Sequence, residues 1–368
     1  MGGRQPEILI VGAGPTGLMA ALELARRGYR PRIIDRDAGP TPFSKAVGIA
    51  AHTLDLLEPS GVAERLIAAG IRIERGYVWY KSRRIGTIDF TNLPHPRNFL
   101  LSLPQSETER IMAAALAEQG VAVEWKTALT GMSSNGSGSD VILGGSNGVA
   151  SPLQEAHFDY VFGADGIHSA VRGAAHIPFR GHTHGRDWSI ADVALTDWFY
   201  EPNAAHLFLC DGGDIGFTVP VGPLQYRVVA NTADPLALMD GGFEVRELLR
   251  TDVFKVAVKQ AATYQNGGVF LGGDAAHVHS PVGARGMNLG IEDAAAFAAH
   301  LAAGNLALYT AERKPIGHRW MELSERILKT AQLTTPGLVM LRNLAFRVIG
   351  HVPLLQRPLL NRMAGLVE

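Results

Sequence analysis

Residues 8–35 read ILIVGAGPTGLMAALELARRGYRPRIID, and this stretch decides the fold. Ile8 to Val11 is a short apolar strand. Gly12-Ala13-Gly14-Pro15-Thr16-Gly17 follows at once, a helical pattern rich in Ala and Leu runs from Leu18 to Arg27, and Gly28 ends it. Arg32 to Ile34 is a second strand that closes on Asp35, 23 positions after Gly12. The three glycines differ in what they permit. Gly12 allows the tight turn, Gly14 lets a pyrophosphate approach the backbone, and Gly17 lets helix and strand pack closely. The helix offers free N–H groups and a positive dipole end to phosphate. The acid accepts hydrogen bonds from a ribose. Together these parts form a dinucleotide-binding unit and do not separate FAD from a nicotinamide nucleotide. Arg36 suits a 2′-phosphate as well as plain solvent.

A second stretch, Gly272 to Asp293, reads GGDAAHVHSPVGARGMNLGIED. The buried strand Val269-Phe270-Leu271 stops at Gly272-Gly273-Asp274. A loop punctuated by Pro281, Gly283 and Gly286 leads into a helical pattern near Asn288. The strand delivers an acid, the loop offers bare backbone, and the helix aims its N-terminus into the loop. That arrangement suits a cofactor with a polyol chain and an electron-accepting ring. Between these stretches lies a third junction: strand Tyr160 to Phe162, then Gly163-Ala164-Asp165-Gly166, then a short helix at Ile167 to Arg172.

The chain has 368 residues, 46% of them hydrophobic and 19% charged, enough for two compact units with ample core. Its net charge of −1 gives no electrostatic case for nucleic acid. One cysteine, Cys210, excludes an internal disulfide and fits a reducing cytoplasm. No signal peptide is expected, and no run reaches the roughly 18 apolar residues of a membrane span. The patch Ser133 to Ser139 reads as a flexible hairpin loop.

Elsewhere, helices are expected at His52 to Leu57, Val62 to Ala69 and Glu107 to Gln119. Ser106 is read as N-cap of the last, with Glu109 completing a capping box. Strands are expected at Arg72 to Tyr80 and Ile85 to Phe90, at Val121 to Val123 and Val141 to Leu143, and through Trp188 to Leu195, His206 to Cys210, Gly216 to Val219 and Tyr226 to Ala230. Val245 to Arg250 reads as a short helix and Phe254 to Ala261 as a strand. A long helix from Ala307 to Thr330 should be interrupted or bent around Pro315-Ile316-Gly317. The tail, Gly337 to Val367, has apolar residues at helical spacing with arginines spread along it, which suits packing on the core or lying on a membrane.

The ordered set of three glycine–acid junctions resembles the flavin-dependent aromatic hydroxylases, single-component monooxygenases similar to p-hydroxybenzoate hydroxylase. The match runs from about Glu7 to Pro315. It is most specific at Gly273-Asp274-Ala275-Ala276-His277, Pro281, Gly283, Gly286, Asn288 and Asp293, with Tyr309, Glu312, Arg313 and Pro315 beyond. The resemblance implies an α/β fold. A Rossmann-like FAD-binding domain (1–72, 95–180, 265–305) would interleave with an antiparallel-sheet substrate domain (73–94, 181–264), followed by C-terminal helices (306–368). It places the FAD pyrophosphate on Gly12, Gly14, Pro15, Thr16 and Gly17, the adenosine ribose on Asp35 beside Arg36, and the ribityl chain on Gly273-Asp274 near Gln105. Asp165-Gly166 would serve both FAD and a visiting NADPH or NADH. Gly286, Met287 and Asn288 would lie along the flavin's pyrimidine edge, and the Pro281 carbonyl would face substrate. Lys45 stands where that family's hydroxybenzoate enzyme has an arginine near the pyrophosphate, and Lys lacks the bidentate fork. Arg285 stands where relatives carry Lys or Gln, and its charge would stabilise the reduced flavin anion.

The chemistry so implied is hydroxylation of a small phenol-like aromatic using O2 and NAD(P)H through a flavin hydroperoxide. Water must be kept from that species. His206, Phe208, Phe217 and Tyr226 are the candidates for the substrate roof, though strand register is not fixed by sequence. No acid–base residue can be named and no metal site is expected. His277 and His279 read as loop residues bonded to backbone. The alternatives are a related FAD monooxygenase of lipid-like or polyketide substrates docked on a membrane through the tail, and a flavin-binding protein without turnover. The W-x-W-x-I-P motif of flavin halogenases is absent. The thioredoxin-like C-terminal domain of the phenol hydroxylase branch is not expected. A monomer or dimer fits equally.

Overall fold

The computed structural model describes residues 4–41, 46–135, 138–146, 152–239 and 243–367. Its first layer is a six-stranded sheet in the order Gln265–Asn266, Val269–Leu271, Tyr160–Gly163, Ile8–Val11, Arg32–Ile34 and Val123–Glu124. All neighbours are parallel except the first pair. These strands are apolar because both faces are covered, as parallel sheets require. The helices Pro15–Arg26, Gln105–Glu118 and Gly286–Ala303 supply Leu18, Leu22, Met112 and Phe297 to the core. The antiparallel strands Thr127–Asn135, Gly138–Gly145 and Gln154–Phe158 add Val141, Leu143 and Phe158.

The second layer is an eight-stranded sheet in the order His277–Val278, Phe243–Ala261, Phe179–Trp198, Gln225–Ala230, Ile215–Gly222, Ala204–Leu209, Arg75–Tyr80 and Arg83–Asp89. It is antiparallel throughout except between Ala204–Leu209 and Arg75–Tyr80. The segments building the two sheets alternate along the chain, so the sheets are tied together many times. The helices Tyr309–Ala331, Pro336–His351 and Pro353–Met363 close the fold. Among the described residues no single helix is long and apolar enough to cross a membrane.

Four local expectations change. Val245 to Arg250 is strand, because it pairs antiparallel with Phe179–Trp198, Val245 opposite Leu195 and Leu248 opposite Val193. Such long-range pairing overrides local helical preference. The helix after Leu103 begins at Gln105 with Pro104 as N-cap, and the Ser106–Glu109 capping box does not form. Glu109 instead accepts from Gln105 Nε2 at 2.7 Å and from Thr41 N at 2.9 Å. The long helix is not interrupted at Pro315, which lies inside the continuous helix Tyr309–Ala331. Strands extend to Asn135 and from Gly138, so most of the expected loop at Ser133 to Ser139 is ladder, while Gly136 and Ser137 lie outside the described residues.

Candidate cofactor cleft and its apolar roof

All three glycine–acid junctions stand at the carboxyl ends of adjacent parallel strands, the place where open α/β sheets bind ligands. They pack directly on one another. A Cβ on Gly12, whose φ is 102°, would lie 2.4 Å from the carbonyl oxygen of Ala164. A Cβ on Gly273 would lie 2.5 Å from Thr16 Oγ1, and one on Gly290 only 2.3 Å from the same atom. Thr16 is therefore a contact that joins the first junction to the third, which the sequence did not reveal.

Two cavities follow from this convergence. The larger, about 520 Å³, runs from Gly14 and Thr16 past Asp274 to Pro281, Gly286 and Met287. The smaller, about 320 Å³, is bounded by Asp35, Arg36 and Asp165. Gly14, Thr41, Gln105, Ala164 and Gly166 border both, so they form one elongated cleft. Its length and glycine floor suit an extended dinucleotide, and a Cβ on Gly14 would come no closer than 3.9 Å to any neighbour. The residues present thus fit an extended dinucleotide such as FAD.

The acids are engaged with backbone. Asp35 accepts from Ala13 N at 2.6 Å and Asp37 N at 2.8 Å, which fixes the glycine turn. Asp165 accepts from Ala170 N at 2.6 Å and Val171 N at 3.1 Å, and from the Ser169 hydroxyl. It thereby anchors the helix Ala170–Ala174, and burial raises its pKa despite these bonds. Asp274 is exposed at the cleft wall. Lys45 lies outside the described residues.

The loop 279–287 shapes the ring end. Gly283 at φ 101° and Ala284 at φ 54° take consecutive left-handed conformations. The turn leaves Pro281, Ala284, Gly286 and Met287 on the cleft wall and points the N-terminal end of Gly286–Ala303 at the cavity. The first N–H groups of a helix lack intrahelical partners and carry its positive dipole end. His279 also borders the cavity. Burial lowers its pKa to about 4, so the ring is neutral at pH 7, with Nδ1 2.8 Å from Ser280 O.

Two expected ring contacts belong elsewhere. Asn288 does not border the cleft: its Oδ1 accepts from Ala50 N (2.8 Å) and Thr53 Oγ1 (2.7 Å), and its Nδ2 donates to Gly48 O (3.0 Å) and Ala284 O (2.7 Å). Its amide is used up in fastening the helix start to residues 48–53. Arg285 is likewise absent from the cleft wall, buried against Glu292 at 2.6 Å with its guanidinium 5.0 Å from the centre of the Trp320 ring. Arg285 does not line the cleft, and its ion pair with Glu292 fastens the helix it caps. Glu292 also meets Arg313 at 3.4 Å, and Arg313 Nε donates to Asp293 at 2.8 Å. Asp293 completes the chain by accepting from His277 Nε2 (2.6 Å) and Gly273 N (3.1 Å). Burial pushes the Asp293 carboxyl up, but the charges of His277 and Arg313 outweigh it and hold the pKa below the usual value. His277 is therefore bonded to a carboxylate, not to loop backbone as the sequence suggested.

The large sheet roofs the ring end, and its register sorts the substrate candidates. Phe217 pairs with Val229, and Val229 with Ile190, so the three share one face. They line the cavity with Phe254 and Val256. His206, Phe208 and Tyr226 are on the opposite face: His206 pairs with Thr218, Thr218 with Val228, and Val228 with Ala191. They sit in a buried aromatic cluster with Trp79, Trp198 and Tyr200. Parity along the strand excludes these three from the substrate roof. Sequence reading also missed Arg227, which pairs with Asp192 through two 2.7 Å contacts and reaches Ala46 O at 3.5 Å, linking the roof to the cleft rim.

Residues 5–236 and 237–324 match the FAD binding domain family. The chain belongs to this family. It is 31% identical over 358 residues to an uncharacterised aromatic compound monooxygenase of Bacillus subtilis, covering 90% of this chain and 70% of that one. It is 32% identical over 367 residues to the 6-methylpretetramide 4-monooxygenase of Streptomyces rimosus, covering 92% of this chain and 63% of that one. The crystal structure of p-nitrophenol 4-monooxygenase from Pseudomonas putida superposes with a TM-score of 0.87 over 98% of both chains at 19% identity, which shows a shared fold. The chain is thus a member of the FAD-dependent monooxygenases, and it spans about two thirds of the length of the two curated relatives.

Proposed function

We propose that the protein is an NAD(P)H-dependent monooxygenase that hydroxylates a small phenol-like aromatic compound. One observation carries this reading: an apolar wall of Ile190, Phe217, Val229 and Phe254 shares a cavity with Pro281 and Met287 at the far end of a dinucleotide cleft. An aromatic ring gains most from such a surface, at roughly 25 cal/mol per Å² of apolar area buried. FAD held in the cleft would supply the redox chemistry, taking a hydride from a nicotinamide and activating O2 for transfer to an aromatic carbon.

The chain's own residues position and protect. Backbone N–H groups at Gly12 to Gly17 hold the pyrophosphate, and Asp35 receives the ribose edge while keeping the turn closed. The N-terminal end of Gly286–Ala303 stabilises negative charge on the ring. The Pro281 carbonyl accepts from the substrate hydroxyl. The sheet excludes water from the reacting atoms. A reducing cytoplasm suits a chain with a single cysteine that consumes a nicotinamide cofactor.

The test is direct. The purified protein, reconstituted with FAD, should oxidise NADPH or NADH faster when a matching phenol is added. A protein that retains no FAD, or whose nicotinamide consumption ignores every member of a broad phenol panel, would contradict the proposal.

A second reading concerns where the enzyme works and how oily its substrate is. The helices Pro336–His351 and Pro353–Met363 meet at 96°. They expose Leu338, Met340, Leu341, Leu344, Leu354 and Leu355 by 46 to 73%. No Asp or Glu occurs between Arg326 and Val367, while Arg347, Arg357 and Arg362 are exposed. Apolar area with basic charge and no acid suits an anionic lipid surface. We therefore take lipid as its occupant, which would favour a lipid-like aromatic substrate.

A further inference from the structure

Away from the cleft, three metal-binding side chains converge. His182 and His184 lie two residues apart on the strand Phe179–Trp198, so alternation puts both on the same side. Glu325 comes from the helix Tyr309–Ala331. His184 Nε2 is 2.7 Å from Glu325 Oε1, and His182 Nε2 is 3.6 Å from Oε2 of the same carboxylate. One ligand atom from each residue lies within 4.8 Å of the other two. The imidazoles meet edge to face with centres 5.1 Å apart. None of the three borders the cofactor cleft.

The backbone prepares this meeting. Pairing with Phe243–Ala261 slips between Thr183 and Asp187, so the strand bulges just where His184 stands. Bulges re-aim side chains and bend the strand that carries them. Glu325 is held with its side chain only 12% exposed, and it faces both histidines through separate oxygens. Lys329 is the remaining charge on it, 3.8 Å from Oε2, and its side chain is 74% exposed and able to swing away.

We propose that His182, His184 and Glu325 form a divalent metal site of the zinc type, with water as the fourth ligand. Two histidines and a carboxylate are a donor set that zinc takes in tetrahedral geometry, at about 2.0–2.1 Å from each atom. Ligand atoms on such an ion lie roughly 3.4 Å apart, and here one donor atom from each residue already lies within 4.8 Å of the other two. Small side-chain rotations bring all three to coordination distance. A neutral imidazole Nε2 facing a carboxylate must be protonated to bond it, whereas a metal ion uses the lone pairs of both rings and the carboxylate together. The bound ion would be a clip between the roof sheet and the helix that carries Arg313. It would thus fix the roof relative to the cofactor side of the cleft.

The experiment is zinc titration of the full chain by calorimetry, with cobalt(II) as the spectroscopic probe. It does not depend on turnover, so it stands apart from the fate of the hydroxylase proposal. One equivalent of zinc should bind to wild type, and its thermal midpoint should rise by several degrees. Cobalt(II) should give the strong visible absorption of a four-coordinate site. His184→Gln, Glu325→Gln and the exposed His182→Ala should each weaken zinc binding by roughly tenfold or more and remove the cobalt spectrum. His182→Ala serves as the variant whose metal-free stability stays at the wild-type level. Zinc uptake and midpoint shift that are equal in wild type and His182→Ala would overturn the proposal. So would a wild type that binds no equivalent at micromolar zinc.

Discussion

The Nε2 atom of His277 stands 2.6 Å from Oδ2 of Asp293, with both side chains 1% exposed. The pair joins the strand His277–Val278 to the helix Gly286–Ala303, and Asp293 reaches back to hold Gly273 N at 3.1 Å. The turn that should meet the ribityl chain is therefore set from behind by charge. Breaking a buried pair by removing one partner costs about 3–5 kcal/mol, because the other charge is left uncompensated. Asp293→Asn should lower stability by that order in urea unfolding. It should also lower the FAD retained per chain after gel filtration. Unchanged unfolding and full FAD retention would dismiss the fastening role.

Register assigns Phe217 to the cleft face and Phe208 to the far face of the same sheet. Phe217→Ala removes apolar surface that a bound aromatic would cover, a loss of roughly 1–3 kcal/mol or about tenfold or more in kcat/KM. Phe208→Leu should leave kcat/KM near wild type while lowering stability. Steady-state kinetics with the best phenol of the panel would compare them, and the reverse ranking would refute the facing.

His206 predicts a pH dependence. Trp79 Nε1 donates to its Nδ1 at 3.1 Å and its Nε2 lies 3.1 Å from Glu201 O, so the buried ring is neutral. Burial lowers its pKa to about 4. The unfolded chain, with an ordinary value near about 6.5, binds the proton more readily. Stability is thus full above pH 6.5 and falls as pH drops toward 4. At pH 5 the loss from this group is roughly 2 kcal/mol. His206→Gln should flatten that part of the pH profile of chemical unfolding, and a slope identical to wild type would exclude His206 as the source.

The legible parts of the sequence were those whose meaning is local. Gly12, Gly14 and Gly17 act within one turn and one helix, so spacing alone located the cleft floor. Asp35 and Asp165 were found for the same reason, although their carboxylates turn out to fix backbone first. The residues that misled depend on distant partners. Asn288 is satisfied by Ala50 and Thr53, more than 230 positions away. Arg285 is withdrawn from the cleft by Glu292 and Trp320. His206, Phe208 and Tyr226 lie on strands whose parity is set by pairing, and a one-residue shift reverses the face. Val245 to Arg250 shows the same rule acting on secondary structure. Arg227–Asp192 and Thr16–Gly273 left no local signal at all.

The tail can be tested on vesicles. With exposed leucines and arginines and no acid, the full chain should float with liposomes containing phosphatidylserine and stay behind with purely zwitterionic ones. Arg347→Glu combined with Arg357→Glu should abolish the shift. Equal behaviour on both vesicle types would point to a protein partner for this face.

In the proposed reaction the cleft and its roof place an aromatic ring where one oxygen atom of O2 is transferred to it. Mass spectrometry of the product formed under 18O2 tests this most directly. The expected product is a hydroxylated phenol carrying one 18O atom, formed in step with nicotinamide oxidation. Consumption of NADPH or NADH that yields only hydrogen peroxide with every phenol, or a product whose new oxygen comes from water, would contradict it.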